Sequence, residues 1–260
     1  MGKLEGRAAV VTGGGKGVGK GISLCLAAEG AGVCIGYNSN EELARQTLWE
    51  LEDAGGQGFL FQADVSDPAQ CAAMAEETAR RFGGIDILVN NAGLQKNLDI
   101  PQYSEEEYDR ILQVNLFGYV YMMQACLPWL KKSGRGNIVN ISSVHGKRPG
   151  DFDPVYSMSK GAMHMLTREA AVEFARYGIR VNTLLPAGVK IEFKTGRPPW
   201  LHAAPPPNAD GSPAKRFPTR LTGRGGLPAD LGRACVYLVS DDAAWVTGSA
   251  LRMDGGAMLV

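Results

Sequence analysis

Short apolar runs alternate with longer segments of helical periodicity along most of the chain. Runs rich in β-branched residues predict seven strands, at residues 8–11, 32–36, 59–62, 85–89, 137–141, 180–184 and 249–252. Segments whose apolar residues recur every three or four positions predict six helices, at residues 17–29, 41–54, 68–82, 105–131, 155–177 and 229–240. Strands and helices that alternate at this spacing form βαβ units, in which neighbouring strands are parallel.

The connections between these elements favour one architecture. Right-handed βαβ crossovers build an open, doubly wound parallel sheet with helices on both faces. The sequence has no internal repeat and no linker that divides it. We therefore predict an α/β protein that forms a single Rossmann-type domain over residues 1–260, with about seven strands.

One segment, residues 187–225, lacks both periodicities. It contains seven of the 14 prolines, and it carries seven basic and two acidic side chains, hence a net charge of +5. Because a loop of this length inside a compact domain is usually functional, we expect a substrate lid here; a disordered surface insertion is the alternative. The positive charge would attract an acidic substrate or cofactor phosphates, or else it forms a solvated rim.

The composition narrows the class of protein. With 45% hydrophobic and 21% charged residues, the chain can bury a large core, which argues against extended disorder. The 27 basic residues balance the 27 acidic ones, so we expect neither a nucleic-acid partner nor electrostatic attachment to a membrane. No window approaches the length of apolar sequence that a transmembrane helix needs.

The five cysteines are scattered along the chain and form no CxxC pair. Such spacing is typical of reduced thiols and not of a disulfide framework or a zinc site. The N-terminus lacks the apolar segment of a signal peptide. We therefore expect a cytoplasmic protein that holds no metal.

A glycine-rich turn follows the first predicted strand and opens the first predicted helix. Its sequence is TGGGKGVG, at residues 12–19. Gly13, Gly17 and Gly19 leave room for a pyrophosphate to approach the backbone, and the helix N-terminus supplies N–H donors and the positive end of its dipole. The turn predicts a dinucleotide site, although its spacing is GxxxGxG and not GxGxxG.

Further motifs follow in order along the chain. An Asp-Val pair at residues 64–65 follows the third predicted strand, NNAG at residues 90–93 follows the fourth, and Asn115 lies in the sequence VNLFG. Ser143 precedes Tyr156 by 13 residues, and this tyrosine begins a Tyr-x-x-x-Lys motif. Together with the glycine-rich turn, these motifs resemble the classical short-chain dehydrogenase/reductase family over nearly the whole chain.

The resemblance implies an oxidoreductase that transfers hydride between a nicotinamide cofactor and an alcohol or carbonyl group. The residues it implies for catalysis are Asn115, Ser143, Tyr156 and Lys160. The residues expected to bind the cofactor are Gly13, Lys16, Gly17, Val18, Gly19, Asn38, Ser39, Asp64, Val65, Asn91, Ala92, Gly93, Tyr156, Lys160, Pro186, Gly188 and Val189. By the same resemblance, Lys160 holds the nicotinamide ribose and Asn115 orders a water of a proton relay.

Elementary chemistry supports the same roles. Tyr156 and Lys160 are four residues apart, so they share one face of a helix. A free tyrosine has a pKa near 10, and a nearby ammonium group or the positive nicotinamide ring favours the phenolate. Tyr156 can then take the alcohol proton during oxidation or donate it during reduction, while Ser143 orients the reacting oxygen.

The residues after the second predicted strand favour NADP, with NAD as the second option. An NAD enzyme usually places an acid about 20 residues after the glycines, but residues 36–40 contain none. A 2′-phosphate can therefore be admitted, and Lys16, Asn38 and Ser39 can donate to it. Against this, many NADP-dependent members of the family carry an arginine where Asn38 stands. In the alternative, Lys16 is solvated and Asn40 caps the following helix.

Four stretches most resemble the glucose 1-dehydrogenase branch of the family. They are SSVHGKRP at residues 142–149, NAGLQ at residues 91–95, YNSNEE at residues 37–42 and the end of the chain at residues 237–256. This likeness implies a homotetramer that oxidises a small-molecule substrate, an aldose, at C1 to a lactone. The residues expected to contact it are Gln95, Ser143, His145, Tyr156 and Trp200, with Tyr103 and Phe217 as further aromatic candidates for stacking. For His145 and the aromatic residues, ordinary packing is the alternative.

One stretch departs from the family pattern. Where the family commonly has Pro-Gly-x-Val-x-Thr after the sixth strand, residues 186–191 are PAGVKI. Isoleucine therefore stands where a threonine hydroxyl would meet the nicotinamide carboxamide. That contact must come from the backbone or from another residue such as Thr195.

Two other functions stay open. One is the reduction of a 3-oxoacyl thioester or another ketone, for which the basic segment at residues 187–225 would meet phosphopantetheine or a carboxylate. The other is a catalytically silent dinucleotide-binding sensor or assembly subunit. In a catalytically silent protein we would expect Ser143, Tyr156 or Lys160 to be replaced, and all three are present.

Overall fold

The computed structural model describes residues 2–149, 153–190, 221–222 and 224–259. Its strands are β1 (Ala8–Val11), β2 (Gly32–Tyr37), β3 (Gln57–Gln62), β4 (Ile87–Asn90), β5 (Asn137–Ile141), β6 (Arg180–Pro186) and β7 (Ala250–Met253). Its α-helices are α1 (Gly17–Ala28), α2 (Glu41–Asp53), α3 (Pro68–Phe82), α4 (Glu105–Leu112), α5 (Gly118–Ser133), α6 (Pro154–Phe174) and α7 (Pro228–Val239).

The strands form one parallel sheet in the order β3-β2-β1-β4-β5-β6-β7. The order reverses between β1 and β4, because the chain first builds outward from β1 to β3 and then continues on the other side of β1. In sheets of this kind, ligands bind beyond the carboxyl ends of the strands at such a reversal. The predicted Rossmann-type α/β fold is confirmed.

The central strands contribute side chains to two separate hydrophobic cores. In β1, Ala9 and Val11 belong to one core and Val10 belongs to the other. The first core includes residues of α1 and α7, and the second includes residues of α3, α5 and α6. Because successive strand residues point to opposite faces and both faces are covered, the strand sequences are apolar without alternation.

The segment predicted as one continuous helix over residues 105–131 is interrupted in the structure. Helix α4 ends at Leu112, and a π-helical turn, Gln113–Phe117, leads into α5. A π turn places one extra residue in a helical repeat and is frequent at functional sites. The pattern of apolar residues continues through the turn, which is why the sequence did not indicate it.

Most of the expected lid at residues 187–225 lies outside the described residues, and so do Thr195, Trp200 and Phe217. The lid therefore stays a prediction. In the described ranges, no helix is both long enough and apolar enough to cross a lipid bilayer.

Candidate active site

The glycine-rich turn connects β1 to α1 at the carboxyl edge of the sheet. Gly13 and Gly17 have φ values of 61° and 54°, in the left-handed region that favours glycine. A Cβ atom on Gly19 would lie 2.1 Å from the carbonyl oxygen of Gly13 and 2.6 Å from Asn91 Nδ2. The path of this turn therefore requires glycine at all three positions.

The first turn of α1, which contains Gly17, Val18 and Gly19, offers backbone donors to a ligand. Lys16 is the N-cap residue, and its side chain makes no capping hydrogen bond. The first turn contains no acidic residue. Because the first N–H groups of a helix lack partners within the helix, and its dipole favours negative charge there, this end suits a phosphate. The residues present thus fit the pyrophosphate of a dinucleotide.

The turn after β4 holds the glycine-rich turn in place. The side-chain amide of Asn91 donates to the carbonyl oxygens of Thr12 (2.9 Å) and Gly13 (3.0 Å). In return, Thr12 Oγ1 accepts hydrogen bonds from the backbone nitrogens of Asn91 (2.9 Å) and Ala92 (3.1 Å). The side chain of Asn91, predicted to bind the cofactor, is therefore used to shape the turn.

A pocket runs along the carboxyl ends of β1, β2 and β4. Many of the residues expected to bind the cofactor line it, namely Gly13, Lys16, Asn38, Ser39, Asp64, Val65, Ala92 and Gly93. Arg110 and Tyr37 line it as well. The fold thus brings together the glycine-rich turn, the end of β2, the Asp-Val pair and the turn after β4, all of which the sequence predicts to bind one ligand.

The carboxylate of Asp64 is held firmly at the wall of this pocket. Arg110 Nη2 donates to Asp64 Oδ2 at 2.6 Å, and Ser66 donates to Oδ1 through its backbone nitrogen at 3.0 Å and its hydroxyl at 2.7 Å. Partial burial disfavours the charge, but the hydrogen bonds from Arg110 and Ser66 outweigh it and lower the pKa of Asp64. Asp64 is therefore an ionised, fixed hydrogen-bond acceptor.

The end of β2 carries the residues expected to distinguish NADP from NAD. Asn38 and Ser39 are exposed and line the pocket, as does exposed Lys16. Asn40 caps α2, because its Oδ1 accepts a hydrogen bond of 3.2 Å from the first turn of that helix. Among the described residues that line the pocket, the one acid is Asp64, which is already in an ion pair.

Ser143, Tyr156 and Lys160 meet beyond the carboxyl end of β5. Ser143 lies two residues after the strand, and the other two lie one turn apart on α6. Ser143 is close enough to the Tyr156 phenol to act on its pKa, and Lys160 Nζ lies 5.7 Å from the centre of the Tyr156 ring. The strand end and the helix are tied together because the Ser142 hydroxyl donates to the carbonyl oxygen of Lys160 at 2.7 Å.

Lys160 is a buried lysine and not a solvated one, with 3% of its surface exposed. Its Nζ donates to the carbonyl oxygen of Ile141 at 2.8 Å and to the hydroxyl of Tyr119 at 3.2 Å. Burial lowers the pKa of Lys160 to about 7, since the ammonium group loses its hydration. The protonation state of this amine is therefore balanced near neutral pH.

The pKa of Tyr156 moves in the opposite direction from the expectation that Lys160 pulls it down. Burial raises this pKa, the hydrogen bond from Ser143 lowers it, and the nearby Asp153 carboxylate raises it, so the net direction is upward. Lys160 is not among the causes of this shift, and burial destabilises its own charged form as well. The side chains of this site by themselves therefore keep Tyr156 protonated at neutral pH.

Asn115 lies in the π turn between α4 and α5 and is fully buried. Its Oδ1 accepts from the backbone nitrogen of Leu94 at 2.7 Å, and its Nδ2 donates to the Leu94 carbonyl at 2.9 Å and to Ser159 Oγ at 3.0 Å. A Cβ atom on Gly93 would lie 3.5 Å from Asn115 Oδ1 and 3.6 Å from Lys160 Nζ. The Asn115 side chain thus joins the segment after β4 to α6, and its role toward a relay water stays a prediction.

Four of the five residues expected to contact the substrate are described. Ser143 and Tyr156 lie together as above. His145 follows in a short 3-10 helix and is half-buried, and its backbone nitrogen donates to Ser143 Oγ at 3.2 Å. Gln95 is exposed on the segment after β4. Trp200 falls outside the described residues, so its contact with substrate is a prediction only.

The remaining cofactor candidates lie at the carboxyl end of β6. Pro186 is the last residue of this strand, and Val189 pairs with Gly226 through an isolated bridge. Gly188 lines a second pocket beside α7. These residues are at the same edge of the sheet as the catalytic candidates but outside the pocket along β1, β2 and β4.

The structure adds three residues that the sequence motifs did not indicate. Arg110 pairs with Asp64, Tyr119 bonds to Lys160, and Asp153 caps α6. A signal for Asp153 was present, because an Asp-Pro pair before a helix is typical of an N-cap followed by proline at the first position. Tyr119 offered no signal, since its contact joins residues 41 positions apart.

Known proteins similar to this chain are oxidoreductases. A family model described as short chain dehydrogenase matches residues 7–201. The chain is 36% identical over 257 residues to the 3beta-hydroxysteroid dehydrogenase 1 of Eggerthella lenta, with 98% of this chain and 95% of that protein covered. It is 33% identical over 258 residues to the glucose 1-dehydrogenase 2 of Bacillus subtilis, with 98% and 96% covered.

A solved structure matches the fold at similar coverage. The short chain dehydrogenase of Burkholderia cenocepacia, crystallised in complex with NADP, has a TM-score of 0.84 and 28% identity, with 98% of this chain and 99% of that one covered. The similarity thus extends over the whole sheet, the glycine-rich turn and α6. The chain therefore belongs to the classical short-chain dehydrogenase/reductase family of oxidoreductases, and it is related to the glucose 1-dehydrogenase branch of that family.

Proposed function

We propose that this protein transfers hydride between a nicotinamide cofactor and a substrate alcohol or carbonyl group, with Tyr156 as the group that takes or gives the proton. One observation carries the proposal. A serine hydroxyl, a phenol and a buried amine converge beyond β5, close to the turn after β4. This is the combination of an orienting donor, an acid or base and a cation that such a reaction needs.

Each of the three side chains has a separate task. Tyr156 removes the hydroxyl proton during oxidation and returns it during reduction. Ser143 hydrogen-bonds the reacting oxygen and orients it toward the phenol. Lys160 places a donor and, when protonated, a positive charge near the phenol, and it would hydrogen-bond a ribose hydroxyl of the bound cofactor. The bound nicotinamide cofactor supplies the carbon that accepts or donates hydride and, in its oxidised form, a positive ring.

We infer a preference for NADP, with NAD as a second cofactor. Lys16, Asn38 and Ser39 provide one cation and two neutral donors on exposed positions of the pocket. A 2′-phosphate there would meet no unpaired carboxylate among the described lining residues, because Asp64 is bound to Arg110. The NADP bound by the Burkholderia cenocepacia relative supports the same choice.

We propose an aldose, oxidised at C1 to a lactone, as the first substrate class to test. The likeness to glucose 1-dehydrogenase 2 supports it, as does the presence of a polar residue, His145, whose backbone nitrogen donates to Ser143 Oγ. A 3-oxoacyl thioester or another ketone, reduced in the opposite direction, is the alternative. A bulkier secondary alcohol is favoured by the likeness to 3beta-hydroxysteroid dehydrogenase 1. All of these substrates need the same proton transfer by Tyr156.

The test is an assay of reduced-nicotinamide absorbance with both cofactors, run against aldoses, polyols, simple ketones, 3-oxoacyl thioesters and hydroxysteroids. Oxidation of aldoses with NADP is the expected result. Turnover of ketones alone, in the reductive direction, would overturn the aldose assignment. Cofactor binding without turnover of any compound would instead identify a catalytically silent sensor or assembly subunit.

A Tyr156→Phe variant tests the mechanism directly. We expect kcat to fall by a factor of about 100 to 10,000, the usual contribution of general acid–base catalysis, with cofactor affinity retained. Tyr237→Phe is the matched control, because Tyr237 lies partly exposed on α7. Full activity of Tyr156→Phe would show that another group moves the proton.

We also propose that the chain assembles as a homotetramer. Three apolar side chains of α6 are exposed, namely Met158, Met165 and Val172. They are spaced seven residues apart, so they lie on one face of the helix. Large apolar side chains exposed on one helix face are typical of an interaction site, and the resemblance to the glucose 1-dehydrogenase branch favours further copies of this chain as its partner.

The cysteines favour a reducing compartment. All five are free thiols, and Cys34, Cys71, Cys126 and Cys235 are buried. Because disulfides persist mainly in oxidising compartments, we propose a cytoplasmic location for the protein. Cell fractionation checks it.

A further inference from the structure

Asp153, which precedes α6, is a buried carboxylate without an ion-pair partner among the described residues. Only 1% of its surface is exposed, and no salt bridge of the described chain includes it. A carboxylate removed from water must be compensated by hydrogen bonds, or it destabilises the fold. Its position therefore needs an explanation beyond capping, which an exposed side chain performs equally well.

Each oxygen of this carboxylate accepts hydrogen bonds from different parts of the chain. Oδ1 accepts from the backbone nitrogen of Tyr156 at 2.9 Å and from the hydroxyl of Tyr103. Oδ2 accepts from the backbone nitrogens of Lys96 at 2.8 Å and Asn97 at 3.4 Å. One side chain therefore joins the first turn of α6 to the segment after β4 and to the residue before the N-cap of α4.

The segment bound by Oδ2 has an unusual backbone. Asn97 has a φ of 58°, and it is the one residue other than glycine in the described chain with positive φ. Such a conformation persists where the surroundings hold it. Asn97 Oδ1 in turn accepts a hydrogen bond of 2.8 Å from Gln95 Nε2. The Asp153 carboxylate thus indirectly sets the place of Gln95, a candidate substrate contact.

The charged and titratable groups around Asp153 come from three elements. Lys96 and Tyr103 belong to the segment between β4 and α4, Glu107 belongs to α4, and Tyr156 and Lys160 belong to α6. The Lys96 amine is 3.9 Å from the Glu107 carboxylate. The negative charge of Asp153 disfavours the Tyr156 phenolate, which adds to the effect of burial on the pKa of Tyr156. Asp153 therefore affects both the geometry and the proton affinity of the candidate acid or base.

We propose that Asp153 is a positioning residue, whose carboxylate fixes the segment at residues 95–97 and Tyr103 relative to Tyr156 and thereby places Gln95, a candidate substrate contact, with respect to the phenol. This inference rests on the proposed function, in which Tyr156 moves the proton. Tyr103, an aromatic candidate for stacking on substrate, takes part in this connection through its hydroxyl.

The test compares Asp153→Asn with Asp67→Asn. Asp67 is a matched control, because it also caps a helix, α3, and is also followed by proline, but its side chain bonds only within its own turn. In Asp153→Asn, the neutral amide retains one acceptor oxygen. We expect KM for the alcohol that the wild type oxidises to rise about tenfold, as for the loss of a hydrogen bond to a charged group. We expect the cofactor dissociation constant to stay unchanged.

The pH profile separates positioning from simple destabilisation. Without the charge of Asp153 the phenolate of Tyr156 is less disfavoured, so the acid limb of kcat/KM for oxidation should move to lower pH. Tyr103→Phe keeps the charge, so it should raise KM and leave that limb in place. If Asp153→Asn does not fold, the Tyr103→Phe variant alone tests the positioning role.

Unchanged KM and an unchanged acid limb in Asp153→Asn, or unchanged KM in Tyr103→Phe, would overturn the inference. The failure of the proposed function looks different, since Tyr156→Phe would then be as active as the wild type. If Tyr156→Phe is inactive and Asp153→Asn behaves as Asp67→Asn, the proposed function stands and only the positioning role of Asp153 is refuted.

Discussion

Lys16 and Lys20 lie four residues apart at the start of α1, but their side chains have different surroundings. Lys16 is exposed and lines the pocket near Asn38 and Ser39. Lys20 Nζ is bound to Glu50 Oε1 on α2 at 2.7 Å. The two lysines therefore differ in whether their charge is available to a ligand.

We expect Lys16→Ala to raise KM for NADP about tenfold, the effect of losing one charge-assisted hydrogen bond, and to leave KM for NAD almost unchanged. Lys20→Ala, the matched control, should change neither value because its charge is already paired. Steady-state kinetics with the two cofactors measures both. Equal effects of Lys16→Ala on the two cofactors would remove this residue from a 2′-phosphate site.

For Lys160, the residue type and the environment contribute separately to the chemistry of the side chain. The Tyr-x-x-x-Lys motif predicted the pairing of a phenol with an amine on one helix face. It did not predict that the amine is buried against Ile141 and Tyr119, which lowers its pKa to about 7. The direction of both pKa shifts at this site follows from burial, and burial is not a property of the motif.

Among the elements, the glycine-rich turn is the one whose shape depends most directly on its residues. In a helix, alanine is more stable than glycine by about 1 kcal/mol. At Gly19 that gain is outweighed, because the added Cβ would meet the Gly13 carbonyl oxygen at 2.1 Å. Forced contact of this kind typically costs about 1 to 3 kcal/mol or displaces the backbone.

We therefore expect Gly19→Ala to weaken cofactor binding at least about tenfold and to lower the melting temperature, since one kcal/mol corresponds to roughly 2–4 °C in a domain of this size. Titration calorimetry and thermal unfolding measure the two effects. Gly84→Ala is the control, because a Cβ there meets nothing within 4 Å. Cofactor affinity equal to that of the wild type would show that the turn tolerates a side chain.

The helices and strands were predicted well where their periodicity is regular, and less well where a tertiary contact changes the local geometry. The predicted helix over residues 68–82 coincides with α3, whose ends carry an Asp cap and a glycine in the left-handed conformation. The predicted helix over residues 105–131 instead contains the π turn around Asn115. The Asn115 side chain bonds to Leu94 and Ser159, and neither contact is visible in the local sequence.

At the scale of the whole molecule, the exposed face of α6 is the feature most relevant to assembly. Val172 is 78% exposed and Met165 is 55% exposed. Large apolar side chains aligned on one helix face are stabilised when a second surface covers them. A charged side chain at either position would lose its hydration when the second surface covers the helix, and this loss would weaken the contact.

We expect the wild type to have the mass of a tetramer by size-exclusion chromatography with light scattering, and Met165→Glu/Val172→Glu to form smaller species. Trp49→Glu replaces an apolar residue that is 63% exposed on α2, so it serves as a control and should leave the mass unchanged. A wild-type monomer at micromolar concentration would contradict the proposed assembly.

The sequence by itself determined the parallel sheet and the glycine-rich turn, and it selected Ser143, Tyr156 and Lys160 as catalytic candidates, because these depend on periodicity, residue type and spacing along the chain. Only the tertiary structure decided that Lys160 is buried, that Arg110 neutralises Asp64, and that one carboxylate joins α6 to the segment after β4. These features arise from contacts between distant residues and from loss of solvent. Such effects depend on which surfaces the fold brings together, and no local pattern contains that information.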